Sequence, residues 1–184
     1  MTHGDRFMNA DIKNLIAKDQ ISDLNSRYCR ALDWLDEEAL HAVFWPDAPI
    51  DYGFFQGSAE AFVPLVIAME KRAARRWHTT LNPVISVRGD VAQCESYGIS
   101  HGYTERKDAV DRFYGGRYLD ECLRRDGEWR ISKRTYILDW VSESSVPFHQ
   151  FTEGERPLNH LSVLSSNHPD YRPLVSRPIA AHTH

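Results

Sequence analysis

Long apolar runs are missing from this chain, and so are dense clusters of basic residues. No stretch stays apolar for the roughly 20 residues that a membrane-spanning helix needs, so a membrane partner is not expected. The net charge is -4 over 184 residues, and only Lys71-Arg72 and Arg75-Arg76 bring basic residues together. A nucleic-acid partner is therefore not expected either. Cysteine is scarce: Cys29, Cys94 and Cys122 are odd in number and lack metal-type spacing. That usage suits a reducing compartment better than a disulfide framework. The polar start Met1-Thr2-His3-Gly4-Asp5-Arg6 lacks the pattern of a signal peptide, and the expected location is cytoplasmic, of bacterial type.

Cofactor signatures are missing as well. None of the nine histidines makes a His-x-x-x-His or His-Glu-x-x-His pattern, and His182-Thr183-His184 reads as a loose end, so no metal is expected. No Gly-x-Gly-x-x-Gly follows an expected strand. Gly115-Gly116 reads as a bend or a close backbone approach. The sequence thus leads to a protein that works without a cofactor.

What is present begins with helices. Ile21, Leu24, Tyr28, Leu32 and Leu35 repeat at three and four residues, the spacing of a buried helical stripe, within one long or two shorter helices over 11–34. A short helix follows from Asp36 as N-cap to Val43, then a strand around Ile50 and Tyr52. A third helix starts at Gly57-Ser58 with Phe62, Leu65, Val66 and Met69 on one face. Pro64 implies a later start or a kink there. From His78 to Trp140 the pattern turns to four antiparallel strands, with hairpin signals at Arg88-Gly89-Asp90, Arg106-Lys107-Asp108 and Arg125-Asp126-Gly127. Trp129 and Ile131 have the opposite parity to Tyr136, Leu138 and Trp140, which predicts a bulge between them. Helices followed by a meander predict an α+β fold with a curved sheet wrapped around the helices.

One domain over 1–141 is expected. Residues 142–184 hold five of the nine prolines and five of the nine histidines and read as an irregular extension. Phe148, Phe151, Leu158, Leu161, Val163 and Leu164 are apolar enough to pack on the body or on a partner subunit.

Asp33 stands out chemically. It ends the first helix beside the apolar stripe, where the macrodipole disfavours negative charge, and both effects would make it more basic. His78 sits at a helix-to-strand junction. A carboxylate that accepts from one imidazole nitrogen fixes the tautomer and leaves the other nitrogen to take a proton. On strand two, Glu95, Tyr97, Ile99, His101 and Tyr103 share a face that mixes apolar and hydrogen-bonding groups, as a pocket wall would.

Several segments carry a resemblance: Arg27-Tyr28-Cys29-Arg30-Ala31-Leu32-Asp33, Pro46-Asp47-Ala48 with Asp51-Tyr52-Gly53, and His78 with Asn82. Gly116-Arg117-Tyr118 and Arg124 to Ile131 with Arg134 complete it. Over roughly 10–141 the chain resembles the SnoaL-like branch of the nuclear transport factor 2-like superfamily. That resemblance implies a cone-shaped α+β barrel, a mostly antiparallel curved sheet around N-terminal helices, and a deep apolar pocket. It also implies a homodimer or higher homo-oligomer, with the dimer formed through the outer sheet face. In the superfamily, scytalone dehydratase, bile acid 7α-dehydratase and hexachlorocyclohexane dehydrochlorinase use an Asp-His dyad, which Asp33 and His78 match. The same resemblance makes Tyr28 an aid to the leaving group, Arg134 a stabiliser of negative charge, and Tyr52 and His101 pocket residues. Trp77, Tyr97 and Trp140 are expected to line that pocket. The implied function is a cofactor-independent lyase, by dehydration, related elimination or formaldehyde loss, on a hydrophobic cyclic or aromatic small molecule. Ketosteroid-type isomerisation or polyketide cyclisation would use the same base. A non-catalytic role, like that of aromatic-ring dioxygenase β subunits, would use neither residue.

Overall fold

The buried stripe of the first helix sets how everything else packs. The computed structural model describes residues 3–73, 75–103, 111–144 and 164–174, with side chains from residue 10 onward. Helix α1 (His3–Asp33) is one unbroken helix, and Ile21, Leu24, Tyr28 and Leu32 are all buried along it. It stops abruptly because Leu35 takes a left-handed conformation, φ 53°. The Asp36 and Leu35 amides then return to the Ala31 and Leu32 carbonyls at 2.9 and 3.2 Å, a Schellman closure. A leucine there costs roughly 1–2 kcal/mol over glycine. The same Asp36 caps α2 (Glu37–His41) by accepting from the Ala39 amide at 2.9 Å, as its sequence position predicts.

Strands β1 (Pro49–Asp51) and β2 (Gln56–Ser58) precede α3 (Ala59–Glu70). Helix α3 runs through Pro64 instead of starting after it. Its buried face is Phe62, Val63, Val66 and Ile67, whereas Leu65 and Met69 are exposed, so the expected face is displaced by about one residue. The meander is β3 (Arg75–Arg88), β4 (Val91–Tyr103), β5 (Asp111–Arg125) and β6 (Glu128–Ser144). The sheet order is β2-β1-β6-β5-β4-β3. Pairing is antiparallel throughout the meander, and β1 runs parallel to β6. The expected bulge falls in β6 between Ile131 and Lys133, opposite Cys122 and Glu121. A second one bends β3 at Asn82-Pro83, between Leu81 and Val84, where Asn82 has φ 49°. Strand β6 continues to Ser144, three residues past the expected domain end at Val141. The expected Arg106-Lys107-Asp108 turn, His182-Thr183-His184, and Phe148, Phe151, Leu158, Leu161 and Val163 lie outside the described residues. Among the described residues no helix is long and apolar enough to cross a membrane.

The helices cover one face of this α+β sheet, and strand register sorts that inner face into cross-strand rows. Lowest are Ala92, Cys122 and Ile131, then Cys94, Asp120 and Arg134, then Ser96, Tyr118 and Tyr136. Above these come Thr80, Gly98, Gly116 and Leu138, and finally His78, Ser100, Tyr114 and Val141. The three lower rows pack against the helices as the core. Residues 164–174 lie across the end of α1. Tyr171 donates to Asp36 and packs its ring on Trp34 at 5.4 Å, while Arg30 donates to the Arg172 carbonyl.

Candidate active site

Two helices end on carboxylates, and both ends meet one imidazole. Asp33 occupies the last helical position of α1, and Glu70 the last of α3. His78 lies near the start of β3, on the inner face. Its Nδ1 donates to Asp33 Oδ1 at 2.8 Å, and its backbone amide reaches Asp33 Oδ2 at 3.4 Å. On the other side of the ring, Nε2 faces Glu70 Oε1 at 3.5 Å. The His78 side chain is only 9% exposed. Burial pushes its pKa down, but the hydrogen bonds and charges of Asp33 and Glu70 outweigh burial and raise it to about 9. The partial negative charge at both helix ends acts in the same direction.

Arg76 fixes this convergence. Its Nε donates to the Glu70 carbonyl at 3.0 Å and its Nη2 to the Ala73 carbonyl at 2.8 Å. Its Nη1 reaches the carbonyls of Leu164 at 3.0 Å and Asp33 at 3.4 Å. One guanidinium therefore ties together the ends of α1 and α3, the start of β3 and the C-terminal segment. Arg76 and Glu70 are site residues that the sequence reading missed.

Below His78 lies the row of glycines, and it explains how aromatic groups come near the dyad. A Cβ on Gly98 would overlap the Tyr118 ring, and one on Gly116 would overlap the Tyr136 hydroxyl and the Ile137 carbonyl. The two tyrosines thus lean over the glycine row, towards the row that carries His78. Tyr52 stacks between Phe62 and Tyr136 at 4.8 and 5.0 Å, and its hydroxyl lies 2.7 Å from that of Tyr28. Burial raises the pKa of Tyr28, Tyr52 and Tyr118 and takes Tyr136 to about 12. All four are neutral hydroxyls at neutral pH. Cys29, buried and pushed up to about 11, bonds Thr80 and feels both Asp33 and Arg134, so it lies between the dyad and the guanidinium below.

Arg134 is wholly buried under the tyrosines. Its Nε and Nη2 each bond Asp120 at 2.7 Å, and its guanidinium lies 4.3 and 4.4 Å from the rings of Tyr28 and Tyr118. Nη1 has no hydrogen-bond partner among the described residues. With a side-chain exposure of 0%, Arg134 supports the tyrosines and does not face the space beside His78.

The structure brings together Asp33 and His78, and separately Tyr28, Tyr52 and Arg134. It does not bring Trp77, Tyr97, His101 and Trp140 to them. Trp77 pairs with His101, Leu81 with Tyr97, and Ile99 with Gly115 opposite Trp140. All these residues occupy the outer face, since pairing alternates with the inner rows. Trp77, Tyr97 and Trp140 are about half exposed, and the Trp140 ring covers the place a Gly115 side chain would take. His101 instead bonds Asp111 at 2.5 Å on that outer side.

Segment 98–102, Gly-Ile-Ser-His-Gly, spells the Gly-x-Ser-x-Gly pattern. It lies in the middle of antiparallel β4 and not on the strand-to-helix turn that a nucleophile elbow requires. Among the described residues no group of His, Cys, Asp or Glu is placed to hold a metal ion. Asp33 and Glu70 flank opposite nitrogens of His78.

A sheet with this order, packed on N-terminal helices and carrying a part-buried Asp-His pair near the start of β3, defines a cystatin-like α+β class. Residues 13–135 match the model of the SnoaL-like domain, and the chain belongs to that family. No curated protein matches the sequence. Among solved structures, a hexachlorocyclohexane dehydrochlorinase of Novosphingobium barchaimii is similar with a TM-score of 0.66 at 22% identity. That match covers 77% of this chain and 99% of the other. A protein of Novosphingobium aromaticivorans named for scytalone dehydratase gives 0.64 at 20%, covering 79% and 97%. A cystatin-like protein of unknown function from Nostoc punctiforme gives 0.57 at 25%, covering 66% and 90%.

Proposed function

We propose that this protein is a cofactor-independent lyase that eliminates a leaving group from a hydrophobic cyclic or aromatic small molecule. The observation that supports it is the 2.8 Å contact of His78 Nδ1 with Asp33, which leaves Nε2 as the proton-accepting nitrogen. In the neutral ring, Asp33 fixes the Nδ1–H tautomer. Nε2 takes a proton from a substrate carbon, the C–H pair forms a new C=C bond, and the leaving group departs with its own bonding pair. Asp33 then faces an imidazolium and stabilises it. The tyrosine hydroxyls that lean over Gly98 and Gly116 supply hydrogen bonds to the departing atom. Arg134 acts through Tyr28, whose ring it faces. Relatives of this fold named as a dehydrochlorinase and for a dehydratase agree with that chemistry.

The test is a panel of cyclic β-hydroxyketones and chlorinated cyclohexanes, with product mass read by mass spectrometry. Elimination gives the mass of substrate less water or hydrogen chloride, whereas isomerisation leaves it unchanged. His78→Ala and Asp33→Asn should each lower turnover by about 10²- to 10⁴-fold, and the double variant should cost little more. A folded His78→Ala variant with full turnover would refute the reading.

The partner we propose is a second copy of the chain. Trp77, Leu81, Tyr97, Leu119, Ile137 and Trp140 leave the outer face apolar and between 37 and 52% exposed, more than water-facing strands usually carry. Trp140→Ser with Ile137→Ser should turn a dimer into a monomer by light scattering. A wild-type monomer at micromolar concentration would rule the dimer out.

A further inference from the structure

The Asp33 side of His78 is explained by the proposed elimination, but the other side is not. A base needs a free Nε2, and in the unliganded protein that nitrogen faces a carboxylate. We propose that Glu70 is a positioning residue that holds Nε2 of His78 between turnovers, gives way to the substrate while carrying the proton of the previous turnover to water, and returns afterwards to the newly charged ring. This rests on the elimination reading for its substrate and on geometry for its parts.

Glu70 reaches the ring from the last position of α3. Glu70 Oε1 lies 3.5 Å from Nε2, and the Glu70 side chain is 21% exposed against 9% for His78. Glu70 is thus the more solvated of the two and can reach water without leaving the site. Its backbone is held by Arg76, which bonds the Glu70 carbonyl at 3.0 Å, so the side chain can move while its anchor stays. A carboxylate in the last turn of a helix is disfavoured by the macrodipole; the Glu70 charge faces His78 and also feels the Arg76 guanidinium. The charged groups around the ring are Asp33 on α1, Glu70 on α3 and Arg76 on β3. Ser100, which pairs with His78 from β4, is neutral.

The proton balance follows. In the free protein Asp33 and Glu70 together hold His78 as an imidazolium, in keeping with its raised pKa. Entry of an apolar substrate displaces the Glu70 carboxylate from Nε2, and the ring gives its Nε2 proton to that carboxylate as it leaves. The neutral ring then accepts the substrate's carbon-bound proton at Nε2. When product departs, Glu70 returns to the new imidazolium, and the proton that it carried has gone to water.

The test separates the free protein from the substrate complex. The acid limb of kcat/KM reports the free protein and that of kcat reports the complex. Glu70→Gln should move the kcat/KM limb to lower pH by about one unit or more and leave the kcat limb in place. The His78 ring titration, followed by NMR of the unliganded protein, should shift downward by the same amount, and Glu70→Asp should fall between. Failure of Glu70→Gln to shift that titration, while Asp33→Asn does, would overturn the proposal. So would a kcat limb that moves together with kcat/KM, because Glu70 would then remain on His78 in the complex. The NMR titration needs no turnover, so an inactive protein whose His78 shifts with Glu70→Gln refutes the elimination and keeps the Glu70–His78 coupling.

Discussion

Asp120, buried, and Asp33, partly buried, are both carboxylates bonded to a basic group, yet they have opposite fates. Asp120 gives both oxygens to Arg134 at 2.7 Å, with side-chain exposures of 1% and 0%. Asp33 gives one oxygen to the His78 ring and the other, at 3.4 Å, to the His78 backbone amide, and the second ring nitrogen meets a partly solvated Glu70. Burial disfavours the charge on Arg134, but Asp120 outweighs it and raises its pKa well above the ordinary value. A guanidinium so placed never loses its proton. An imidazole does, and Glu70 gives that proton a way out. The lower pair is a fixed charge within the core, and the upper cluster is a switchable one at its edge.

The largest effect that would test this contrast lies in the lower pair. Arg134→Met should destabilise the fold by about 3–5 kcal/mol, because it strands the Asp120 carboxylate without a partner. Arg134→Met with Asp120→Leu should recover most of that loss, since an apolar pair of similar volume needs no desolvated charge. Urea midpoints measure both. Measured at pH 9, where most of the imidazolium's stabilisation is gone, His78→Ala should cost much less stability, because Asp33 and Glu70 are each nearer to water. Equal losses for Arg134→Met and His78→Ala would erase the distinction between the two sites.

The sequence makes one of these sites more legible than the other, for physical reasons. Asp33 and His78 can be found because the stripe Ile21, Leu24, Tyr28 and Leu32 fixes the phase of α1, and a helix-to-strand junction is visible before β3. Glu70 carries a weaker signal, a carboxylate at a helix end where the dipole disfavours it. Its role depends on where α3 ends relative to β3, which no local pattern records. Trp77, Tyr97 and Trp140 mislead for a different reason. Parity shows that residues share a face but does not show which face is buried. The inner face of β4 is built from Ala92, Cys94, Ser96 and Gly98, small residues that make room for α1 and the tyrosine rings. Side-chain size, and not hydropathy, marks the core side there. The Asp120–Arg134 pair is hidden because both residues read as ordinary charged strand positions until the register places them opposite each other.

A smaller effect, confined to the upper cluster, is a dependence of stability on pH. The folded pKa of His78 is about 9, against roughly 6.5 for an unperturbed histidine. The native state therefore holds this proton more tightly than the unfolded chain does. Its stabilisation is complete below about pH 6.5 and is lost as pH rises through 9, by on the order of 3 kcal/mol. Burial also raises the pKa of Cys29 and Cys94 to about 11 and that of Cys122 further. Those thiols lose stability in the same direction, but only above about pH 9, where an unfolded thiol ionises. Urea unfolding between pH 6 and 9 thus isolates the histidine. The wild-type midpoint should fall across that range, and the His78→Gln midpoint should stay nearly level. Arg134 keeps its charge throughout this range, so Arg134→Met should lower the curve without changing its slope. A His78→Gln curve that falls as steeply as the wild type would assign the pH dependence to other groups and leave the upper cluster as static as the lower one.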